Sequence, residues 1–172
     1  MYELSWDNKY EMQKVTLVPV GDRYAEIDVE DWERVKDYKW YLVRFKYGTS
    51  ITYLYARSVR KQGGVLMHRL ILGLTDSQIQ ADHRNFDGLD NTKSNLRPAN
   101  TIENHRNQRP WNKIMQSTYK GISRNGDGWM ARIGVNRERI YLGTFNTEKE
   151  AVLAYNEAAK EHFGEFAYLN KI

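Results

Sequence analysis

An Asp-His pair at residues 82 and 83, then Asn95, then Asn104, sets in one stretch of chain the groups that hydrolysis of a phosphodiester requires. The carboxylate of Asp82 and the amide oxygen of Asn104 are hard oxygen donors, suited to Mg²⁺ or Mn²⁺. The imidazole of His83 can accept a proton from water near neutral pH. A proton acceptor beside a divalent ion is the chemistry that breaks nucleic-acid backbones.

These residues need elements to hold them. Ile79-Gln80-Ala81 predicts a short strand that delivers Asp82 and His83 at its end. Inside a regular strand the two side chains would face opposite ways, so both reach one site only where the strand stops. Residues 84–91, rich in Asn, Asp and Gly, predict a compact loop, shaped by Asp87, Asp90 and Asn91, with further ligation as the alternative role of those three. Asn95-Leu96-Arg97-Pro98 predicts a returning strand whose length Pro98 limits. Thr101 and Glu103 predict a helix that carries Asn104 in its first turns.

This run resembles the HNH endonuclease family, and especially the HNH homing endonucleases of phages, through Ala81-Asp82-His83, Ser94-Asn95-Leu96-Arg97 and Ile102-Glu103-Asn104. The resemblance implies a ββα-metal core, with Asp82 and Asn104 as ligands of one Mg²⁺ or Mn²⁺, His83 as general base, and Asn95 orienting its imidazole. Many HNH enzymes have His at the last position, where the homing branch commonly has Asn; His105 is the substitute for Asn104. Adjacent helical residues diverge by roughly 100°, so one of the two faces the ion. Leu66-Met67-His68-Arg69-Leu70-Ile71 resembles the segment that precedes the motif in this branch; His68 reads as structural and Arg69 as a phosphate contact.

Alternation over Trp129–Ile133 and Arg139–Phe145, with an extended run beginning at Ser117, predicts three antiparallel strands. Asn125-Gly126-Asp127-Gly128 and Asn136-Arg137-Glu138 mark their turns. Thr147-Glu148-Lys149-Glu150 is a capping box, and Ala151, Ala154, Tyr155, Ala158 and Ala159 recur at helical spacing up to Gly164. The alanines let this helix lie close on one face of the sheet and leave the other face free.

That segment resembles the ethylene-response-factor (ERF) type DNA-binding domain of plant transcription factors, also found fused to HNH nucleases, in Tyr119-Lys120-Gly121, Trp129–Ile133, Tyr141–Phe145, Glu150-Ala151, Ala154-Tyr155-Asn156 and Ala167–Asn170. The resemblance implies a sheet that enters the major groove of double-stranded DNA, with Lys120, Arg124, Trp129, Arg132, Arg139 and Tyr141 as contacts. Sheet packing is the other reading of Trp129 and Tyr141. Plant members often have Glu where Arg132 stands, so base preference does not carry over.

Composition agrees with a polyanionic partner. In 172 residues the formal net charge is +4, with a pI near 9.2. No Asp or Glu occurs from Asn104 to Gly126, where Arg106, Arg109, Lys113, Lys120 and Arg124 accumulate. That bridge, and Arg97 on the returning strand, suit phosphate contacts that weaken as salt rises. Cysteine is absent, which excludes disulfides and cysteine-held structural zinc. Met1–Lys14 lacks the apolar core of a signal peptide, and no stretch is long enough to span a bilayer. The expected location is the cytoplasm, that of the host cell for a phage-borne gene.

Between these regions, Val15–Val18, Tyr24–Val29, Trp40–Phe45 and Tyr53–Arg60 read as strands, with a helix starting near Asp31–Val35. Arg44, Lys46, Arg57, Arg60 and Lys61 form a basic face, for gripping DNA or simply for solvation. The expected fold is α+β: a small mixed N-terminal sheet leading into the ββα-metal core over 1–110 with the metal motif at 79–108, a linker at 111–116, and a three-stranded sheet packed on one helix over 117–172. The expected function is a site-specific DNA endonuclease of the homing type, monomeric or homodimeric; the alternative is a non-catalytic DNA-binding regulator that keeps the HNH scaffold.

Overall fold

Strand β1 (Val15–Val20) exposes Leu17 and Pro19 and buries Val18 and Val20, the period-two pattern of a half-buried strand. It pairs antiparallel with β2 (Arg23–Asp28), so that Ala25 and Ile27 join the two valines in the interior. The computed structural model describes residues 15–47, 51–59, 64–108 and 117–172. A 3₁₀ turn (Val29–Asp31) leads to α1 (Trp32–Val35). Strands β3 (Trp40–Tyr47), β4 (Ile51–Ser58) and β5 (Val65–Leu66) then form a second sheet in that order. Helix α2 (Met67–Ile71) follows and buries Met67 and Ile71 against Val35, Trp40 and Ala56.

The expected site elements come next. Strand β6 (Gln80–His83) and strand β7 (Leu96–Ala99) are hydrogen-bonded neighbours, and helix α3 (Thr101–Arg106) follows. The helix begins at Thr101, where the sequence predicted, and its cap is Asn100, because Asn100 and Glu103 exchange side-chain and backbone bonds in a capping box. The C-terminal sheet has β8 (Ile122–Asn125), β9 (Gly128–Val135) and β10 (Glu138–Phe145) in the order β10-β9-β8, antiparallel throughout. Helix α4 (Glu148–Phe163) opens with the Thr147/Glu150 capping box and packs Ala151, Val152, Tyr155 and Ala159 on Ile122, Ala131 and Ile133.

The chain is α+β, built from small sheets and short helices. Two expectations change. In place of one mixed N-terminal sheet there are separate small sheets, and among the described residues the parallel feature is a lone bridge between Glu26 and Asp90. The strand expected from Ser117 begins at Ile122, because Ser117–Gly121 turns instead, with Ser117 Oγ accepting from the Tyr119 N–H and Asn170 Oδ1 from the Lys120 N–H.

Contacts divide the chain into two units. The first takes in Thr52–Ser77 and Ala81–Pro98 with the strands that precede them; the second takes in Gln78–Gln80 and Ala99–Ile172. Helix α3, which carries Asn104, therefore belongs to the second unit, whereas the sequence division grouped it with the nuclease motif.

Gly121 shows how tightly the second unit is packed. Its φ is +78°, and a Cβ there would lie 2.3 Å from the Tyr155 ring and 2.4 Å from the Arg132 carbonyl oxygen. Gly121→Ala is expected to lower stability by about 2 kcal/mol or more, measured by chemical denaturation. A loss below about 0.5 kcal/mol would show that the sheet and helix do not close around this residue.

Candidate functional site

In the first unit, β6 ends in two side chains that are both almost fully buried. Asp82 is 5% exposed and His83 6%. The charge of Asp82 is met by Arg97 on β7, whose Nε lies 2.7 Å and whose second guanidinium nitrogen lies 2.5 Å from Asp82 Oδ2. Arg97 is itself 4% exposed, so the predicted DNA contact is instead the buried counter-ion of Asp82. The reason is energetic, since a carboxylate taken out of water needs a charge-assisted partner with good geometry.

His83 sits in an aromatic setting. The Tyr55 ring is 5.6 Å and the His68 ring 5.1 Å from it, centroid to centroid, with His68 edge-on. Burial pushes the His83 pKa below the usual 6.5, against the hydrogen bond His83 makes to Asn91 Oδ1 and the carboxylates of Asp82, Asp87 and Asp90. The imidazole is therefore neutral at neutral pH, the form that can accept a proton. Its small exposure differs from the open imidazole that a water-activating role first suggests.

The sequence assigned Asn95 to orient this imidazole; Asn91 stands there instead, its Oδ1 3.5 Å from His83 Nε2. Asn91 Nδ2 donates to the Leu89 carbonyl at 3.1 Å, which turns the amide oxygen toward the ring. An acceptor at Nε2 makes that nitrogen the N–H, and Nδ1 of the neutral ring then carries the lone pair. Asn95 is occupied within the loop: Oδ1 accepts from the Asn85 N–H at 2.9 Å and Nδ2 donates to the Asp90 carbonyl at 2.8 Å. It holds the loop that holds Asn91.

The loop is fixed from below as well. Asn91 N–H donates to the Glu26 carbonyl at 2.7 Å and Glu26 N–H to the Leu89 carbonyl at 2.8 Å, so the backbone of β2 locates Asn91. Asp87 Oδ1 accepts from the Leu89 N–H, Asp90 Oδ1 from Thr92 and Asp90 Oδ2 from Asn85, which makes these carboxylates loop formers. Gly88 lets the loop close on β4, because a Cβ there would meet the Leu54 carbonyl oxygen at 2.2 Å. Burial pushes the Tyr55 hydroxyl up to about 12.

His68 is the residue whose environment the sequence left unread. It is 6% exposed, its Nδ1 has no hydrogen-bond partner among the described residues, and burial, with His83 and Arg69 nearby, pushes its pKa to about 3. Arg69, the expected phosphate contact, donates to the carbonyls of Leu74 and Asp76 at 3.3 and 2.6 Å and so ties down the turn after α2.

In the second unit, Asn104 is half-buried and its Nδ2 donates to Gln80 Oε1 at 2.5 Å. Among the described residues no protein donor meets Asn104 Oδ1, the oxygen with ligand character. His105 is exposed, with Nδ1 3.1 Å from Gln108 Oε1. Among the described residues no group of three or more His, Asp or Glu side chains forms a metal cage, and no helix is long and apolar enough to cross a membrane.

The expected DNA contacts of this unit separate into two sets. Arg132, Arg139 and Tyr141 are exposed; Tyr141 pairs with Arg132 across β9 and β10, on the side of the sheet opposite Ala131 and Ile133. Trp129 lies on the helix side, partly buried against the core of the second unit, with the Arg124 guanidinium 4.9 Å from its ring centroid. Lys120 is also redirected: its Nζ donates to the carbonyls of Arg106 and Gln108 at 2.7 and 2.9 Å, at the C-terminal end of α3. Burial pushes this ammonium down to about 8. Arg106 stacks on the Phe163 ring at 4.8 Å. Arg44 and Arg57 are exposed, while Arg109 and Lys113, and the side chains of Lys46, Arg60 and Lys61, lie outside the described residues.

An uncharacterized HNH endonuclease of Acanthamoeba polyphaga mimivirus is 32% identical over 155 residues, covering 87% of this chain and 75% of that protein. The chain belongs to the HNH endonuclease family. No family profile matches it. Joined to the HNH sequence is an ERF-type segment: dehydration-responsive element-binding protein 2D of Arabidopsis thaliana is 48% identical over 56 residues, 31% of this chain and 27% of that protein. The ethylene-responsive transcription factor WRI1 of the same plant is 43% identical over 58 residues, 31% of this chain and 14% of that protein.

Two expectations follow from the burial of these groups. Arg97→Ala strands the Asp82 carboxylate in the interior and is expected to cost about 3–5 kcal/mol in denaturant unfolding; a cost below about 1 kcal/mol would mean that the pair is not buried as described. The folded state keeps His68 neutral while the unfolded chain protonates it below 6.5, so the unfolded state binds more protons between 6.5 and about 3. Stability is therefore expected to fall as pH drops through that window, and His68→Phe should flatten the decline; equal slopes in both proteins would contradict it.

Proposed function

We propose that this protein is a metal-dependent DNA endonuclease of the homing type, and that the pairing of a buried, unprotonated His83 with the Arg97-braced Asp82 carries this reading. Membership of the HNH endonuclease family supports nuclease chemistry, and the ERF-type segment supports DNA as the substrate.

The donor set fits a hard divalent ion, Mg²⁺ or Mn²⁺. Asp82 in the first unit offers a carboxylate, and Asn104 in the second an amide oxygen that meets no protein donor among the described residues. Donors of this kind suit ions that keep waters and complete their shell with substrate phosphate oxygens. When bound, the ion would stabilise negative charge on the phosphate and on the departing 3′ oxygen.

The chain's own residues do the rest. His83 Nδ1 takes a proton from the attacking water while Nε2–H donates to Asn91, which keeps the ring in one tautomer. The water oxygen bonds to phosphorus and the bond to the 3′ oxygen breaks, which leaves a 5′ phosphate and a 3′ hydroxyl. Arg132, Arg139 and Tyr141 on the open sheet face supply target register. One site in a chain cuts one strand per binding event, so a monomer nicks and a double-strand break takes a second copy or a second visit.

A second reading, a DNA-binding regulator on an HNH scaffold, draws on the 6% exposure of His83 and the Arg97 partner of Asp82. Supercoiled plasmid incubated with the protein and Mg²⁺, Mn²⁺ or a chelator separates the two. The endonuclease is expected to relax or linearise plasmid only with metal, and His83→Ala to lower the rate at least about 100-fold while duplex binding in a gel-shift assay stays within about threefold. Retained binding without scission in every metal favours the regulator.

A further inference from the structure

A groove of about 620 Å³ lies in the second unit, away from Asp82 and His83. Its walls include His105 and Arg106 of α3, Lys120, and Asn136 and Arg137 of the turn between β9 and β10, over a floor that includes Phe163. Among the described residues no Asp or Glu lines it. Two of the cations are locked in position, Lys120 by the carbonyls of Arg106 and Gln108 and Arg106 by the Phe163 ring.

Arg137 is the unusual member. Asn136 and Arg137 have φ of +49° and +71°, so both central residues of this turn are left-handed. Asn tolerates that conformation, but the second position of such a turn favours Gly, and a long side chain there carries backbone strain. Folding alone would be better served by glycine. The arginine is exposed, and Gly134, which lines the groove, is the cross-strand partner of Arg139 on the open sheet face. The groove floor, with Ile133, Tyr155 and Phe163, lies on the helix side of the sheet, and at Gly134 the groove meets the edge of the basic face proposed for DNA.

We infer that this groove carries a stretch of DNA backbone leading off the sheet, with Arg137 as a phosphate contact. The inference rests on the DNA-binding reading above and adds to it a path and a residue. A groove open to solvent, with Arg106, Lys120 and Arg137 above an apolar floor and of this volume, suits a phosphodiester with its sugars, and phosphate contacts of this kind set register without reading sequence. The conformational strain at Arg137 persists because the side chain serves the ligand rather than the fold.

Fluorescence anisotropy of a labelled 30-base-pair duplex in Mg²⁺-free buffer, over a series of salt concentrations, tests it with Arg137→Gly and Arg137→Gln. Arg137→Gly is expected to melt at the same or a higher temperature than the parent protein, yet to bind about 3–10-fold more weakly, with the slope of log K against log salt smaller by about one. Arg137→Gln keeps the left-handed side chain and should lose affinity equally, which separates charge from backbone. Unchanged affinity and slope in both variants would overturn the groove while leaving the endonuclease reading standing. A loss confined to an RNA duplex would overturn DNA as the occupant, and a parent protein that binds no duplex at all would overturn both.

Discussion

The ion pair of Asp82 with Arg97 is the constraint on which the first unit depends. Both groups are charged and both are almost wholly removed from water, an arrangement that survives only when the two meet with close geometry. Their meeting requires β6 and β7 to be neighbours in one register, so the loop between them must return the chain to a fixed place. The side-chain bonds of Asn85, Asp87, Asp90 and Asn95 close that loop, and the backbone of β2 fixes it. Function and folding thus draw on the same few polar groups.

The imidazole of His83 gains its character from this scaffold. Tyr55 and His68 remove it from water and so keep it unprotonated, while Asn91 selects the tautomer. Each of these neighbours comes from a different element: β4, α2 and the loop. A change in any of them would reach the imidazole without replacing it, in the way that residues behind a ligand tune the ligand itself. Asn95 acts at one further remove, through the loop that presents Asn91.

Local signals in the sequence were read well where short-range chemistry decides the outcome. The Thr147–Glu150 capping box, the Asn-Gly turn and the alternation of Trp129–Ile133 lie within a few residues of the structure they produce, and α4 and the C-terminal sheet follow from them. What the sequence hid was long-range partnership. Arg97 and Lys120 look like any surface cation in a basic stretch, and only the fold shows that one is spent on Asp82 and the other on the end of α3. The exchange of Asn91 for Asn95 has the same origin: two asparagines in one polar loop are equivalent until the Leu89 carbonyl and the Asp90 carbonyl choose between them. Strand alternation puts Trp129 with the core and leaves Arg132 and Tyr141 outside, a split that a list of basic and aromatic residues does not contain.

The central claim is that burial holds His83 as a neutral base beside a charged aspartate. Side-chain ¹⁵N NMR of the imidazole nitrogens, recorded from pH 8 down to pH 5, reads this directly. The account predicts that His83 remains a neutral ring, protonated at Nε2, through pH 6.5, where an ordinary histidine is half protonated. An imidazolium with both nitrogens protonated at pH 7 would contradict it.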